Sequence, residues 1–205
     1  MKVKVCGLNN QSDIELLNKT GIDFMGFIFY QKSPRYQNKN LILSNISKYK
    51  VGVFVNEDFE SIRDKISKQN LTHVQLHGDE SPSFCKKLMT LVRVIKAFRI
   101  SQYFDINKTH EYLESCDYFL FDTDSDSFGG SGKKFNWDII KNFTKKKFFL
   151  SGGIDLESID KIQKIKKENE YLFAVDINSK FEFSPGNKDI KKIKRFLKKL
   201  NDGKF

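Results

Sequence analysis

Short apolar runs alternate along this chain with stretches in which apolar residues recur every three or four positions. The runs are Val3–Cys6, Phe24–Phe29, Val51–Val55, His73–Leu76, Val94–Phe98, Tyr118–Phe121, Phe148–Leu150 and Leu172–Asp176. Their brevity and their richness in Val, Ile, Leu and Phe predict buried strands. Between them, the stripes Ile14-Leu17, Phe59-Ile62-Ile66, Phe84-Leu88-Leu91, Trp137-Ile140-Phe143, Ile159-Ile162-Ile165 and Ile190-Ile193-Leu197-Leu200 predict helices with one face on a core. Two more helices, around Leu41–Ile46 and near Tyr112-Leu113, are weakly marked. Eight strand–helix units in succession imply parallel strands joined by crossover helices. The economical fold is a single-domain (β/α)8 TIM barrel over residues 1–205, with an open doubly wound sheet as its rival. The first strand–helix turn, Cys6-Gly7-Leu8-Asn9-Asn10, holds one glycine, so no clear dinucleotide fingerprint supports the rival.

Composition narrows the function classes. No apolar run approaches the ~20 residues of a membrane span, and the alternating start, Met1-Lys2-Val3-Lys4-Val5-Cys6, does not read as a signal peptide. The three cysteines, Cys6, Cys85 and Cys116, are widely spaced and form no CxxC pair, so neither a disulfide framework nor a zinc site is indicated. A reduced, cytoplasmic setting is expected. The net charge of +10 admits a polyanion partner. The lysines are spread along helix faces, however, and the phenylalanines follow core spacing rather than interleaving with a basic patch. The expectation is therefore a solvated surface and no nucleic-acid partner.

In a barrel the chemistry sits at the C-terminal ends of the strands. Cys6 ends the first run, where a thiol could serve as nucleophile or base, or simply as a small buried hydrophobe. Ser33-Pro34-Arg35 presents a guanidinium suited to a carboxylate or phosphate, or to plain solvation. His77 and Gly78 leave the fourth run, and His77 could bond substrate or pack in its loop. His73, at the entrance of that run, and His110 are not site candidates. The sixth run stops on Asp122, before a polar loop closing on Gly129-Gly130-Ser131-Gly132; Phe135-Asn136-Trp137 then opens a helix. A carboxylate at a strand exit beside a glycine loop suits a small anionic substrate, although such a loop alone can be only a turn. Ser151-Gly152-Gly153 after the seventh run reads as a loop entering a helix N-terminus, whose free N–H groups suit a phosphate. Asp176 to Ser179 and Ser184 to Asp189 follow the eighth. Loops after strands seven and eight often bind phosphate in this architecture. No cluster has metal-ligand spacing. Cys85 and Cys116 read as core, and Lys96, inside a strand, as structural or electrostatic.

Taken in order, Lys4-Val5-Cys6-Gly7-Leu8, Gly26 to Tyr30 with Ser33-Pro34-Arg35, Val74-Gln75-Leu76-His77-Gly78, Val94 to Phe98, Phe121-Asp122-Thr123 with the glycine loop, Ser151-Gly152-Gly153, and Val175 to Ser179 with Pro185-Gly186 and Lys188-Asp189 resemble the phosphoribosylanthranilate isomerases of tryptophan biosynthesis. The resemblance spans the chain. It implies a TIM barrel that converts N-(5-phosphoribosyl)anthranilate to 1-(o-carboxyphenylamino)-1-deoxyribulose 5-phosphate, with no cofactor and no metal. It further implies Asp122 as general acid, Cys6 as general base and Arg35 on the anthranilate carboxylate. His77 and Asp176 would line the pocket, with Gly152, Gly153 and Ser179 at the phosphate. The implied partner is the small phosphoribosyl substrate, with no membrane partner, in a monomer or homodimer. Gln31-Lys32 and Asn9-Asn10 depart from the family pattern and bear on loop stiffness rather than chemistry. A related phosphosugar synthase or decarboxylase, which would favour a lysine at a strand end such as Lys96, is the second enzyme reading.

Overall fold

In the computed structural model, which describes residues 1–123 and 136–202, eight parallel strands close on themselves. They are β1 (Lys2–Val5), β2 (Phe24–Ile28), β3 (Tyr49–Phe54), β4 (His73–Leu76), β5 (Arg93–Ile100), β6 (Tyr118–Thr123), β7 (Phe148–Leu150) and β8 (Leu172–Ile177). Each pairs with its sequence neighbours, and β8 returns to β1 with Lys4 opposite Asp176. All eight predicted strands are present, so the barrel replaces the open sheet as the fold.

The helices are fewer than the sequence suggests. α1 (Gln11–Asn18), α2 (Phe59–Gln69), α3 (Pro82–Leu88), α4 (Ile159–Glu168) and α5 (Ile190–Asp202) form where apolar spacing coincides with a stop or start signal. Asn10, Asp58 and Ser81 cap the first three by accepting from a backbone N–H of the first turn, and Pro82 occupies the first position of α3, where its missing N–H costs nothing. Asn70 ends α2 in the left-handed region, at φ 49°. The expected helix over Leu41–Ile46 is absent; the chain runs irregularly there, tied to α1 through Gln11 and Asn18. The helices near Tyr112 and Trp137 are 3-10 segments, Ile106–Tyr112 and Trp137–Ile139. Leu91 lies beyond α3 and is exposed rather than core-facing. A small antiparallel hairpin, β9 (Glu182–Ser184) with β10 (Asn187–Lys188), forms within the segment that the sequence presents as the loop after the eighth strand. No helix among the described residues is long and apolar enough to cross a membrane.

Strand alternation sorts side chains into two cores. Outward residues such as Val3, Val5, Met25, Phe119, Phe121 and Val175 pack under the helices. Val51, Leu120, Phe149 and Ala174, each two positions before a strand or strand-exit residue that faces the cavity described below, form a separate cluster with Phe24. That two-residue step places them on the barrel's inner face. Below them, Phe24 meets Tyr49, His73 and Phe149 at centroid distances of 5.1–5.3 Å, and Tyr118 stacks on Phe173 at 5.0 Å. This aromatic floor closes the N-terminal end of the barrel, leaving the other end for chemistry.

Burial holds the His73 imidazole at a pKa of about 4, against 6.5 unperturbed. Between those values the unfolded chain binds the proton and the folded protein does not, so this contribution to stability is lost as pH falls through the window, by up to about 3 kcal/mol. Melting temperatures at pH 7 and pH 5 should therefore fall more in the wild type than in His73→Phe; equal losses would assign the acid sensitivity elsewhere.

Candidate active site

The C-terminal ends of the strands surround a cavity that is open to solvent. Cys6, Arg35, His77, Asp122, Gly152, Gly153, Asp176 and Ser179 all line it. The structure thus brings every sequence-predicted site residue to one place. Gly129 to Gly132 and Phe135 lie outside the described residues.

Cys6 follows β1, so its sulfur points inward on the same face as Lys4, two positions earlier. Space for the sulfur comes from Gly26 on β2: a Cβ there would stand 2.7 Å from Cys6 Sγ. Lys4 has none of its surface exposed, and its Nζ donates to Asp176 Oδ2 at 2.8 Å. Burial opposes the ammonium, but Asp176 and Cys6 more than restore it and hold the Lys4 pKa above its ordinary value. Burial pushes the Cys6 thiol up, while Lys4 and Lys188 pull it back. Burial also raises Asp176, whose Oδ1 has no hydrogen-bond partner.

Across the cavity, Gln75 Nε2 donates to His77 Nδ1 at 2.8 Å, which leaves the ring hydrogen on Nε2. That nitrogen stands 3.4 Å from Asp122 Oδ2 without forming a hydrogen bond. The other Asp122 oxygen accepts from Thr123 N at 2.9 Å. His77 and Asp122 therefore face one another with unused hydrogen-bonding capacity.

Arg35 is not solvent-facing. It is buried, and its Nε and Nη2 grip Glu182 Oε1, the first at 2.8 Å. Glu182 Oε2 accepts in turn from Lys188 Nζ at 2.8 Å, and Lys188 also donates to Asn178 Oδ1 at 2.7 Å. Burial works against the Glu182 carboxylate, yet Arg35 and Lys188 hold its pKa below the usual range; burial lowers that of Lys188. The hairpin thereby orients the guanidinium by its Nε–Nη2 edge.

Gly152 and Gly153, at φ 87° and 63°, turn the chain after β7 in the left-handed region, and a Cβ on Gly152 would meet Thr123 Oγ1 at 2.1 Å. The loop runs into a helix start as the sequence suggests, but the first N–H groups of that start are not free. Asp155 caps the 3-10 turn Leu156–Ser158 that precedes α4, so the N–H groups of Glu157 and Ser158 are already taken. Gly152, Gly153 and Ser179 themselves line the cavity.

Four contributors escaped the sequence reading as site residues: Lys4, Gln75, Glu182 and Lys188. Lys4 is hidden because Lys-Val-Lys-Val imitates a strand with one face in water. Glu182 and Lys188 lie in a segment whose Pro-Gly centre reads as surface loop. Lys96 is buried outside the cavity lining, bonded to Glu80 Oε2 at 3.0 Å and Gly78 O at 2.7 Å, where it ties the β4 exit in place. Cys85 and Cys116 are core residues, and burial pushes their thiols up to about 11 and about 12.

Comparison with known proteins agrees with this geometry. The family model for N-(5'phosphoribosyl)anthranilate (PRA) isomerase matches residues 3–199. N-(5'-phosphoribosyl)anthranilate isomerase from Parabacteroides distasonis is 39% identical, over 98% of this chain and 93% of its own length. The crystal structure of phosphoribosyl anthranilate isomerase from Thermotoga maritima superposes with a TM-score of 0.84 at 34% identity, covering 98% of this chain and 99% of that one. A phosphoribosyl anthranilate isomerase solved in complex with reduced 1-(o-carboxyphenylamino)-1-deoxyribulose 5-phosphate superposes with a TM-score of 0.80 at 32% identity, over 98% and 99% of the two chains. The chain belongs to the N-(5'-phosphoribosyl)anthranilate isomerase family.

Proposed function

We propose that this protein is a single-domain catalyst of the Amadori rearrangement of N-(5-phosphoribosyl)anthranilate to 1-(o-carboxyphenylamino)-1-deoxyribulose 5-phosphate, a step of tryptophan biosynthesis, with that small substrate rather than a nucleic acid as its partner. The observation that carries the reading is the convergence of a thiol, a carboxyl group and a buried arginine on one cavity, in a member of this family.

Two protons must move at different atoms. Asp122 delivers one to the ribose ring oxygen; the C1′–O bond breaks and the anilinic nitrogen lone pair forms the C1′=N bond of a Schiff base. Cys6, as thiolate, then takes the proton from C2′, and the C2′–H electron pair forms C1′=C2′ as the C=N electrons return to nitrogen. The resulting enolamine tautomerises to the ketone. Cys6 after β1 and Asp122 on β6 reach both atoms without moving, because they come from well-separated parts of the ring of strands. Arg35, held by Glu182 along one edge, offers its other edge to the anthranilate carboxylate. The loop of Gly152 and Gly153, with Ser179, receives the phosphate. Fixing the substrate at both ends places the reacting carbons between the two proton-transfer groups, and such positioning supplies much of the rate in reactions of this kind.

Anthranilate fluorescence in an assay with freshly made substrate should report turnover without added metal or nucleotide. Cys6→Ser and Asp122→Asn should each lose more than about 100-fold in kcat; wild-type rates in both would remove the assigned roles. Arg35→Met should raise KM by about 10- to 100-fold, the scale of a hydrogen bond to a charged group. An unchanged KM would place the carboxylate elsewhere.

A further inference from the structure

Acid–base chemistry by a thiol poses a problem inside this barrel. Cys6 is buried, and burial favours its neutral form. A base must nonetheless exist as thiolate when it takes its proton, so the anion needs a counter-charge that water does not supply.

Among the described residues, the groups facing the sulfur are few. From β1 comes Lys4, on the same inward face two positions upstream. From β8 comes Asp176, directly opposite Lys4 in register. From β10 comes Lys188, bonded to Glu182 and Asn178. From β2 there is only Gly26, which carries no charge. His77 and Asp122 stand together on the β4 and β6 side of the cavity. Lys4 alone is both on the sulfur's own strand face and fully enclosed. Its ammonium has three donors, of which one goes to Asp176 Oδ2 at 2.8 Å, and its charge favours the thiolate of Cys6 two positions along the same strand face.

We propose that Lys4 is the positioning residue for Cys6: its buried ammonium, shared between the sulfur and the Asp176 carboxylate, is the counter-charge that lets Cys6 exist as a thiolate inside the barrel. Asp176 has two opposing effects. It keeps Lys4 charged, and it competes with the sulfur for that charge. The same bond fixes Asp176 by Oδ2 and leaves Oδ1 directed to the cavity without a partner. This inference deepens the proposed function and rests on Cys6 as its base.

The two neighbours predict shifts of opposite sign. Lys4→Met keeps the length of the side chain and removes the charge, so the Cys6 thiol should titrate about one unit or more higher, the scale of an opposite charge at contact distance. Asp176→Asn removes the competing anion and leaves the sulfur as the nearest acid able to balance Lys4, so the thiol should titrate lower than in the wild type. The readout is the pH midpoint of iodoacetamide labelling, with the Cys6 peptide followed by mass spectrometry and folding checked by circular dichroism. Cys85 and Cys116 report on separate peptides. The midpoint needs no turnover, so it fails or holds independently of an activity loss in Cys6→Ser. The pH profile of kcat/KM should move with the labelling midpoint in each variant. A midpoint unmoved by Lys4→Met, or shifts of the same sign in both variants, would overturn the proposal. If Lys4→Met does not fold, Asp176→Asn decides alone, and a midpoint unchanged or raised overturns it.

Discussion

A lysine ammonium with no surface in water needs an anion at contact distance, and the position of that anion constrains everything around it. Taking such an ion out of water costs several kcal/mol even after relaxation, and only close pairing offsets the loss. In this chain the ammonium is Lys4 and the anion is Asp176, 2.8 Å apart. They sit in register on β1 and β8, the first and last strands of the ring. The pair therefore lies at the seam where the barrel closes and also forms the base of the cavity beside Cys6. A pair in this place makes a weak case for added stability, since apolar residues of the same volume could fill the space. It makes a stronger case for chemistry, because it puts a fixed positive charge beside the sulfur that the proposed reaction uses as its base.

The other buried charges follow the same logic at the rim. Arg35, Glu182, Lys188 and Asn178 form a continuous chain of hydrogen bonds from the β2 exit to the hairpin after β8. Glu182 is the anion that lets an arginine be buried there and sets its orientation. Gln75 does a comparable job for His77 by fixing which ring nitrogen carries hydrogen. The residues that meet substrate in the proposed reaction are thus held by others that do not. Below them all, the aromatic floor keeps the N-terminal end shut, so the cavity opens only on the side where the strand exits gather.

The ring of strands was legible because the strands are apolar runs, apart from the alternating β1, and the succession of strands with helical stripes leaves few folds to choose from. The helices were less so. Leu41–Ile46 has apolar residues but no cap, and the backbone of Ile42 and Asn45 bonds to the α1 side chains of Gln11 and Asn18 instead. Trp137, Ile140 and Phe143 have helical spacing, yet only a single 3-10 turn forms, and all three residues are buried by packing alone. The strand-exit residues were legible because the architecture fixes where to look and because their motifs, taken together, resemble one family. The supporting charges were not. A lysine in an alternating strand reads as solvent-facing, and nothing local to Lys4 reveals that its opposite neighbour, far along the chain, is a carboxylate. Likewise Glu182 finds Arg35 only once the barrel has closed.

The central claim is that Cys6 and Asp122 address two different atoms of one substrate held at both ends. The most direct test is a crystal structure of this protein with the reduced product analogue, 1-(o-carboxyphenylamino)-1-deoxyribulose 5-phosphate in its reduced form. The account predicts Cys6 Sγ within about 4 Å of C2′ and the Asp122 carboxyl group against the C4′ hydroxyl that derives from the ring oxygen, near the separations that proton transfer requires. A ligand seated with its C2′ away from the sulfur, or with Asp122 against the phosphate end, would contradict it.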